Sequence, residues 1–432
     1  MTGVLPAVFW TSVGALAATY VGYPVVVFLA SRFVRRSVPS SEDRSNPAVT
    51  LIIAARDEEE VIGQKVRTCL EQDYPEDRLE ILVVSDGSTD GTIDAVEKLR
   101  SPRIRVMGLP LAAGKANALN EAMSTVETKI VVLSDARQAL EPDAVSRLVR
   151  WFPDPRIGAV SGDLHFAGRP DRGVERATAI YWRYEREIRD SESRLDSCIG
   201  ATGALYAIRS ALWKPLPAGL ILDDMYTPMQ IALQGYRVQY ETEAAATDRF
   251  STSPGMEFRR RVRTLSGNYQ LLGALPDLLI PWRNRLWVQF MFHKIGRLAS
   301  PLLLFLMFVT SAFIPGFLYK VIFGAQAFVW IAGLGIRSEW LPSFLRRPHG
   351  VLRTFALFQV AAAVAFWKFA RSDYDVWRPG TTLMHSDGQI IEREQGGVSD
   401  AGSELSDPYS VAQTAIGRDV NVGEPKRRRA RS

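Results

Sequence analysis

The chain has 432 residues, of which 47% are hydrophobic, and a formal charge of +5. That length holds one ordinary domain with further segments to spare, the apolar content prompts a search for membrane spans, and the positive balance fits an anionic neighbour such as nucleic acid, a lipid headgroup surface or a phosphorylated substrate. Two distant cysteines, Cys69 and Cys198, and four scattered histidines exclude a disulfide framework and a Cys/His zinc cage, so a reducing compartment is the simpler assumption.

Residues 4–30 are apolar and uncharged, long enough to cross a bilayer. Arg32, Arg35 and Arg36 follow, no basic residue precedes the run, and no small-residue cleavage site ends it. Residues 1–36 therefore read as an uncleaved anchor, and the positive-inside rule places the following domain in the cytoplasm. Residues 37–47 form a Ser/Pro/charged linker.

A globular region runs over residues 48–273 and opens with strand, polar loop and helix in repetition. The predicted strands are Val49 to Ala55, Glu80 to Ser85 and Lys129 to Ser134. Each is a continuous apolar run, as expected where helices cover both faces of a largely parallel sheet joined by right-handed βαβ crossovers. The stretch from Gly173 to Ser193 carries Tyr181, Trp182 and Tyr184 among many charges; an amphipathic helix packed on the sheet is favoured over an aromatic acceptor floor.

Residues 282–297 mix Trp, Phe and Arg and read as an interfacial helix. Apolar runs at 298–315, 317–336 and 350–370 make 298–371 a C-terminal transmembrane region, and residues 378–432 form a polar tail of disordered composition ending in Lys426-Arg427-Arg428-Arg429. One N-terminal and three C-terminal crossings would leave that basic tail outside, against the charge rule, so a re-entrant or interfacial C-terminal segment stays open as the alternative.

An aspartate closes each predicted strand: Asp57, Asp86 and Asp135. Ligands of open α/β sheets bind at the carboxyl ends of the strands, and acidic loops converging there suit a metal, a ribose or a base edge. Singly each aspartate is ordinary turn or cap chemistry, as Gly87, Asp90, Gly91 and Thr92 around Asp86 illustrate. No GxGxxG follows a strand, and Gly114-Lys115 precedes Ala116, so dinucleotide and Walker A loops are both disfavoured.

Six motifs in order resemble the family 2 glycosyltransferases with the GT-A fold, over roughly residues 48 to 270: IIAARDEEEVI from Ile52, VVSDGSTDGT from Val83, GKANALNEA from Gly114, LSDAR from Leu133, GATGALYAIR from Gly200 and LDDMYTPMQIALQGYRV from Leu222. Within that family the chain is similar to the bacterial polysaccharide synthases of the cellulose, hyaluronan and poly-N-acetylglucosamine type. The resemblance implies a Rossmann-like catalytic domain between membrane helices and an inverting hexosyltransferase using a nucleotide sugar, UDP-linked by expectation. Nucleotide-sugar contacts fall to Asp57, Glu58, the base-binding Asp86, Lys115, Asp135 and Arg137. The acceptor loop is carried by Gly200 and Gly203, and Asp224 becomes the catalytic base beside Asp223. Capping of the following helix is the plain alternative for both acids.

Two departures stand out. The family's D-x-D holds a divalent cation, Mg2+ or Mn2+; here Asp135 is the metal candidate and Arg137 replaces the last acid. A guanidinium cannot bind a cation but pairs with phosphate, which predicts weakened metal dependence. Processive members carry Q-R-x-R-W, whereas the equivalent stretch here holds Arg260, Arg261, Arg263 and then Thr264. The arginines remain available to diphosphate or to anionic lipid, but no ring is left to stack on an acceptor sugar.

The expectation is a multi-pass enzyme of the inner (plasma) membrane. It would act at the lipid bilayer on a glycan or lipid-linked acceptor for cell-surface or exopolysaccharide synthesis, without nucleic acid, and a secretion or synthase complex is a candidate partner. A lipid glycosyltransferase adding one sugar and a non-catalytic nucleotide-sugar-binding partner are the alternatives. A transporter is disfavoured by the few ionisable residues in the apolar runs.

Overall fold

The computed structural model describes residues 3–34, 46–167, 173–249, 254–336, 340–371, 383–384 and 390–391. Arg35, Arg36 and most of the predicted linker and tail lie outside them. The strands are β1 Val49–Ala55, β2 Leu79–Asp86, β3 Ile104–Leu109, β4 Ile130–Asp135, β5 Ala139–Leu140, β6 Ile157–Ala167, β7 Tyr206–Arg209 and β8 Arg237–Arg249. They form one sheet in the order β3-β2-β1-β4-β7-β6-β8-β5.

The first four of these positions are parallel, as the apolar runs predict, with Ala55 level with Ser85 and Ala54 level with Asp135. Successive side chains of a strand point to opposite faces. Ile52, Leu82, Val84, Val131 and Leu133 accordingly enter one core, and Leu51, Ile53, Ile81, Val83 and Val132 the other. Beyond β4 the sheet is mixed: β7 runs antiparallel to both β4 and β6, while β8 is parallel to β6 and antiparallel to β5. The chain crosses from one half to the other between β1 and β4, and the polar loops after those strands open into the crevice left there.

Among the described residues, four helices are long and apolar enough to cross a membrane: Val4–Ser31, Trp287–Phe313, Phe317–Gly335 and Phe344–Ala370. The predicted interfacial segment does not end before the first C-terminal run; its helix starts at Trp287 and continues without a break to Phe313. Each of the first two helices contains one π-helical turn, Ala18–Gly22 and Met291–Ile295. These turns pack together, with Gly296 directly against the Thr19 side chain. A Cβ at Gly296 would overlap that threonine.

The amphipathic helix Gly173–Leu195 differs from its expected place. It touches β8, but it also packs on the helix Val4–Ser31 and on the helix Ser343–Ala370. The reason lies in its charges: Glu185 and Glu192 face His293 and Arg297 of the Trp287–Phe313 helix instead of water. A second unit, Gly380–Ser432, contains an antiparallel pair of short strands, Leu383–Met384 and Ile390–Ile391.

Candidate active site

The loop after β1 is clipped to the loop after β2. Asp57 holds a left-handed backbone (φ 51°), its N–H donates to Ser88 Oγ at 3.1 Å, and its Oδ1 accepts from the Thr89 N–H at 2.8 Å. The Glu58 N–H donates to Thr92 Oγ1 at 2.9 Å, and the Gly91 N–H donates to Glu59 at 3.0 Å. A positive φ at a non-glycine residue is uncommon and held only by its surroundings; here the Ser88–Thr89 contacts hold it.

Asp86 is buried, and its two carboxylate oxygens accept from the N–H groups of Ala113 and Gly114, each at 2.8 Å. Gly87 takes a φ of 60° there, and any side chain would run into Leu111 and Ala112. The expected base-binding aspartate is thus also the post on which the following Gly-Lys loop is hung.

That loop delivers Lys115 to the centre of the site. Its Nζ lies 2.6 Å from Asp135 Oδ1 and 2.9 Å from Asp223 Oδ1. Burial acts to lower its pKa, but the two carboxylates outweigh this and hold the ammonium above the usual lysine range. Asp223 is itself buried and accepts from the Tyr206 hydroxyl at 3.1 Å.

Asp224 is the second residue of the helix Asp223–Leu233 and accepts from the Gly203 N–H at 2.9 Å through Oδ2. Burial and the neighbouring Asp223 push its carboxyl up to about 6, against the pull of Lys115. Gly203 is glycine for lack of room: a Cβ would sit 3.1 Å from Asp135 Oδ2 and 3.3 Å from Asp224 Oδ2. Gly200 needs its glycine for another reason, a φ of 79° against the Met225 sulfur.

The structure therefore brings Lys115, Asp135, Gly203, Asp223 and Asp224 together, with Asp57 and Asp86 in the adjoining loops. Arg137 is turned to the rim, where its Nε lies 2.8 Å from Glu58. Burial nevertheless raises the Glu58 carboxyl, only partly offset by Arg137. The arginines at 260, 261 and 263 do not all share one face of their helix. Residues on a helix turn by about 100° per position, so Arg260 and Arg263, three positions apart, share one side and Arg261 is turned away from them. Arg260 and Arg263 are exposed, while Arg261 lies 4.5 Å from the Tyr181 ring centre and 4.2 Å from that of Phe358, and pairs with Glu257 at 3.2 Å. Thr264 bonds back to the Arg260 carbonyl at 3.0 Å.

Sequence reasoning missed Lys65. It lies on the buried face of its helix with Ile62, Val66 and Cys69, and that placement of a lysine among apolar positions was its signal. Its Nζ donates to Ser134 Oγ at 2.6 Å and to the Gln138 carbonyl at 2.8 Å, bracing the segment that carries Asp135 from beneath. Ser134 Oγ in turn donates to the Ala204 carbonyl at 2.5 Å, next to Gly203.

Among the described residues, no group of three or more His, Cys, Asp or Glu is arranged to hold a metal. Asp135 can still serve as a single ligand: Lys115 takes Oδ1, and Oδ2 faces the space beside Gly203. Small hard cations are commonly bound by one or two carboxylates plus substrate phosphates, and one carboxylate fits that arrangement.

A family model described as "Glycosyltransferase like family 2" matches residues 47–267. The beta-monoglucosyldiacylglycerol synthase of Synechocystis sp. is 29% identical over 236 residues, covering 52% of this chain and 48% of that protein. The poly-beta-1,6-N-acetyl-D-glucosamine synthase of Staphylococcus epidermidis is 24% identical over 245 residues, covering 56% and 59%. The chain thus spans about half the length of the curated relatives it matches. In fold it resembles the mannosyltransferase PcManGT from Pyrobaculum calidifontis, solved with GDP-Man and Mn2+, at a TM-score of 0.65 and 24% identity over 85% of this chain and 99% of that one. With its motifs in order on a GT-A fold, the chain belongs to the family 2 glycosyltransferases.

Proposed function

We propose that the protein is a membrane-anchored, inverting glycosyltransferase. In this reading it moves a hexose from a nucleoside-diphosphate sugar, UDP-linked, to a glycan or lipid-linked acceptor at the cytoplasmic face of the plasma membrane, for cell-surface or exopolysaccharide synthesis. The observation that carries it is the unequal aspartate pair. Asp223 is occupied by Lys115 and Tyr206, whereas Asp224 accepts from the Gly203 N–H. Its carboxyl, raised to about 6, is ionised at neutral pH yet basic for a carboxylate, which suits a general base.

The acceptor hydroxyl attacks the anomeric carbon from the face opposite the leaving group, and its proton passes to Asp224. The bond from that carbon to the diphosphate oxygen breaks, and the nucleoside diphosphate departs with the electron pair. Lys115 is placed to receive the developing negative charge, exchanging Asp135 and Asp223 for phosphate oxygens. Asp135, with those phosphate oxygens, would hold a divalent cation, which when bound supplies further neutralisation of the leaving group.

Full-length protein in detergent, offered labelled UDP- and GDP-sugars and scored for hydrolysis and transfer, tests this reading. NMR of the product gives its anomeric configuration, where retention would refute inversion. Removal of a general base typically costs about 10²–10⁴-fold, so Asp224→Asn with undiminished transfer would sink the assignment.

Addition of a single sugar to a lipid is favoured over polymerisation by a specific observation. Thr264 is turned back onto its own helix, and Arg261 is enclosed by Tyr181 and Phe358. The segment thereby serves as a joint between helices. Product length after extended incubation separates the two readings.

A further inference from the structure

The Lys115 ammonium spans two acids from different parts of the chain. Asp135 closes β4 and Asp223 opens the helix Asp223–Leu233, and their Oδ1 atoms lie 2.6 Å and 2.9 Å from the one Nζ. Asp223 is 4% exposed, and with Oδ2 accepting from the Tyr206 hydroxyl its Oδ1 is left to the ammonium. A third acid adjoins them. The point where a Gly203 Cβ would fall is 3.1 Å from Asp135 Oδ2 and 3.3 Å from Asp224 Oδ2. Three carboxylates therefore border a space that glycine keeps open, and an ammonium holds two of them together.

Carboxylates this close repel unless a cation lies between them. In many sites that cation is a small divalent metal, held by one or two carboxylates and completed by substrate phosphates. Here a lysine fills the role from within the chain, kept charged against its burial by the two acids. An ammonium and a dication on the same oxygens repel each other, so the two compete for Asp135 Oδ1 and Asp223 Oδ1. Lysine is a cation able to give way, being a point charge on a flexible stem. Lys115 opens its helix directly after Gly114, where nothing lies within 4 Å of an added Cβ. A diphosphate offers the ammonium several charged acceptors at once. Once it has turned to them, Asp223 Oδ1 is a buried carboxylate oxygen without a cation, which is costly until another takes the place.

We propose that Lys115 is a built-in competitor of the divalent cation: it occupies Asp135 and Asp223 and yields them when a diphosphate draws it off, so that Asp223 joins Asp135 as a cation ligand only with nucleotide present. The proposal rests on the transferase reading above and adds a control on its site, the order in which nucleotide and cation enter. No covalent bond changes; one cation is exchanged for another.

The test reads Mn2+ binding by electron paramagnetic resonance on the full chain in detergent, with MnCl2 as the added ligand and no nucleotide. Wild type is expected to bind weakly. Lys115→Met and Lys115→Gln should each bind Mn2+ about tenfold or more tighter, the scale of a charge-assisted hydrogen bond that no longer competes. Glutamine keeps N–H donors for the two carboxylates, so it serves if thermal unfolding shows that the methionine variant is not folded. Asp223→Asn in the Lys115→Gln background should cancel the gain. Binding by wild type as tight as by the folded lysine variants, or a gain that survives Asp223→Asn, would each overturn the proposal. Transfer from labelled UDP- and GDP-sugars is scored on the same wild-type preparation. Its absence would sink the transferase reading, whereas the Mn2+ titration contains no sugar and is decided separately.

Discussion

Replacing Gly203 with alanine tests whether the geometry around Asp135 and Asp224 is that of a reacting site. Gly203 does not have a positive φ, so alanine meets no backbone strain. The perturbation is steric alone: the new methyl would lie 3.1 Å from Asp135 Oδ2 and 3.3 Å from Asp224 Oδ2, both closer than ordinary contact. The carboxylates must then yield by a few tenths of an ångström, and Asp224 is tethered to the Gly203 N–H at 2.9 Å. A misplacement of about 1 Å can cost about 10²-fold in rate, so a few tenths should cost about 5- to 20-fold in kcat. Stability should fall by about 1 kcal/mol, the low end for overpacking, since the methyl displaces movable side-chain atoms instead of the backbone. Gly235→Ala is the converse control, with a φ of 94° and nothing within 4 Å of the added carbon. Left-handed strain there costs about 1–2 kcal/mol and should leave kcat alone. The assay is initial-rate transfer at saturating donor, alongside thermal unfolding of both variants. If Gly203→Ala keeps kcat within about twofold of wild type, the crowding of these carboxylates has no part in the chemistry and the argument from their proximity fails.

Because the Asp224 carboxyl is raised to about 6, it is protonated and unable to accept a proton below that pH. The kcat profile should fall about tenfold per pH unit on the acid side and level off above neutrality, and a flat profile from pH 5 to 8 would refute the assignment. Lys65→Met removes an ammonium whose pKa burial lowers; because the protonated form is penalised in the fold, thermal stability should hold or rise, while kcat falls as the Ser134–Gln138 segment loosens. A matched loss of both would show that the lysine serves folding alone. Arg261→Lys should cost about 1–2 kcal/mol through lost stacking on Tyr181 and Phe358, with donor KM unchanged, whereas a large rise in donor KM would return this arginine to the diphosphate. In chelator, activity should fall only in part, because Lys115 remains; complete loss restored by Mn2+ would show that one carboxylate suffices to make the cation indispensable.

What the sequence discloses follows the range of the interactions involved. The strands β1, β2 and β4 are legible because each is a fully buried run whose neighbours along the chain already declare it. The loop motifs bring Lys115, Asp135, Asp223 and Asp224 into one place because the residues near strand ends must share the sheet's carboxyl edge. The long β6 and β8 strands escape, since Asp163, Ser161 and Gly162 interrupt the apolar pattern of β6, and Thr242, Glu243 and Thr247 that of β8. The separation of Arg261 from Arg260 and Arg263 is not legible, because composition reports the charges and not the faces of the helix on which they stand. The pairing of His293 with Glu185 and Glu192 has no local signature at all: its partners are separated by 108 and 101 positions.

The two π turns, Ala18–Gly22 and Met291–Ile295, set a phase between the two halves of each helix. A π turn accommodates one residue more than the α-helical path needs, and one residue corresponds to about 100° of rotation. In the Trp287–Phe313 helix that offset lets His293 and Arg297 face the carboxylates of the Gly173–Leu195 helix while Ser300 meets Tyr20 and Gln359. Deleting a single residue from Met291–Ile295 would preserve the helix and its apolar character, yet swing one half of these contacts away from the other. The spacing of these residues is therefore a constraint independent of their identities, and shortening the turn should uncouple the apolar helices from the Gly173–Leu195 helix where substitution of any one side chain does not.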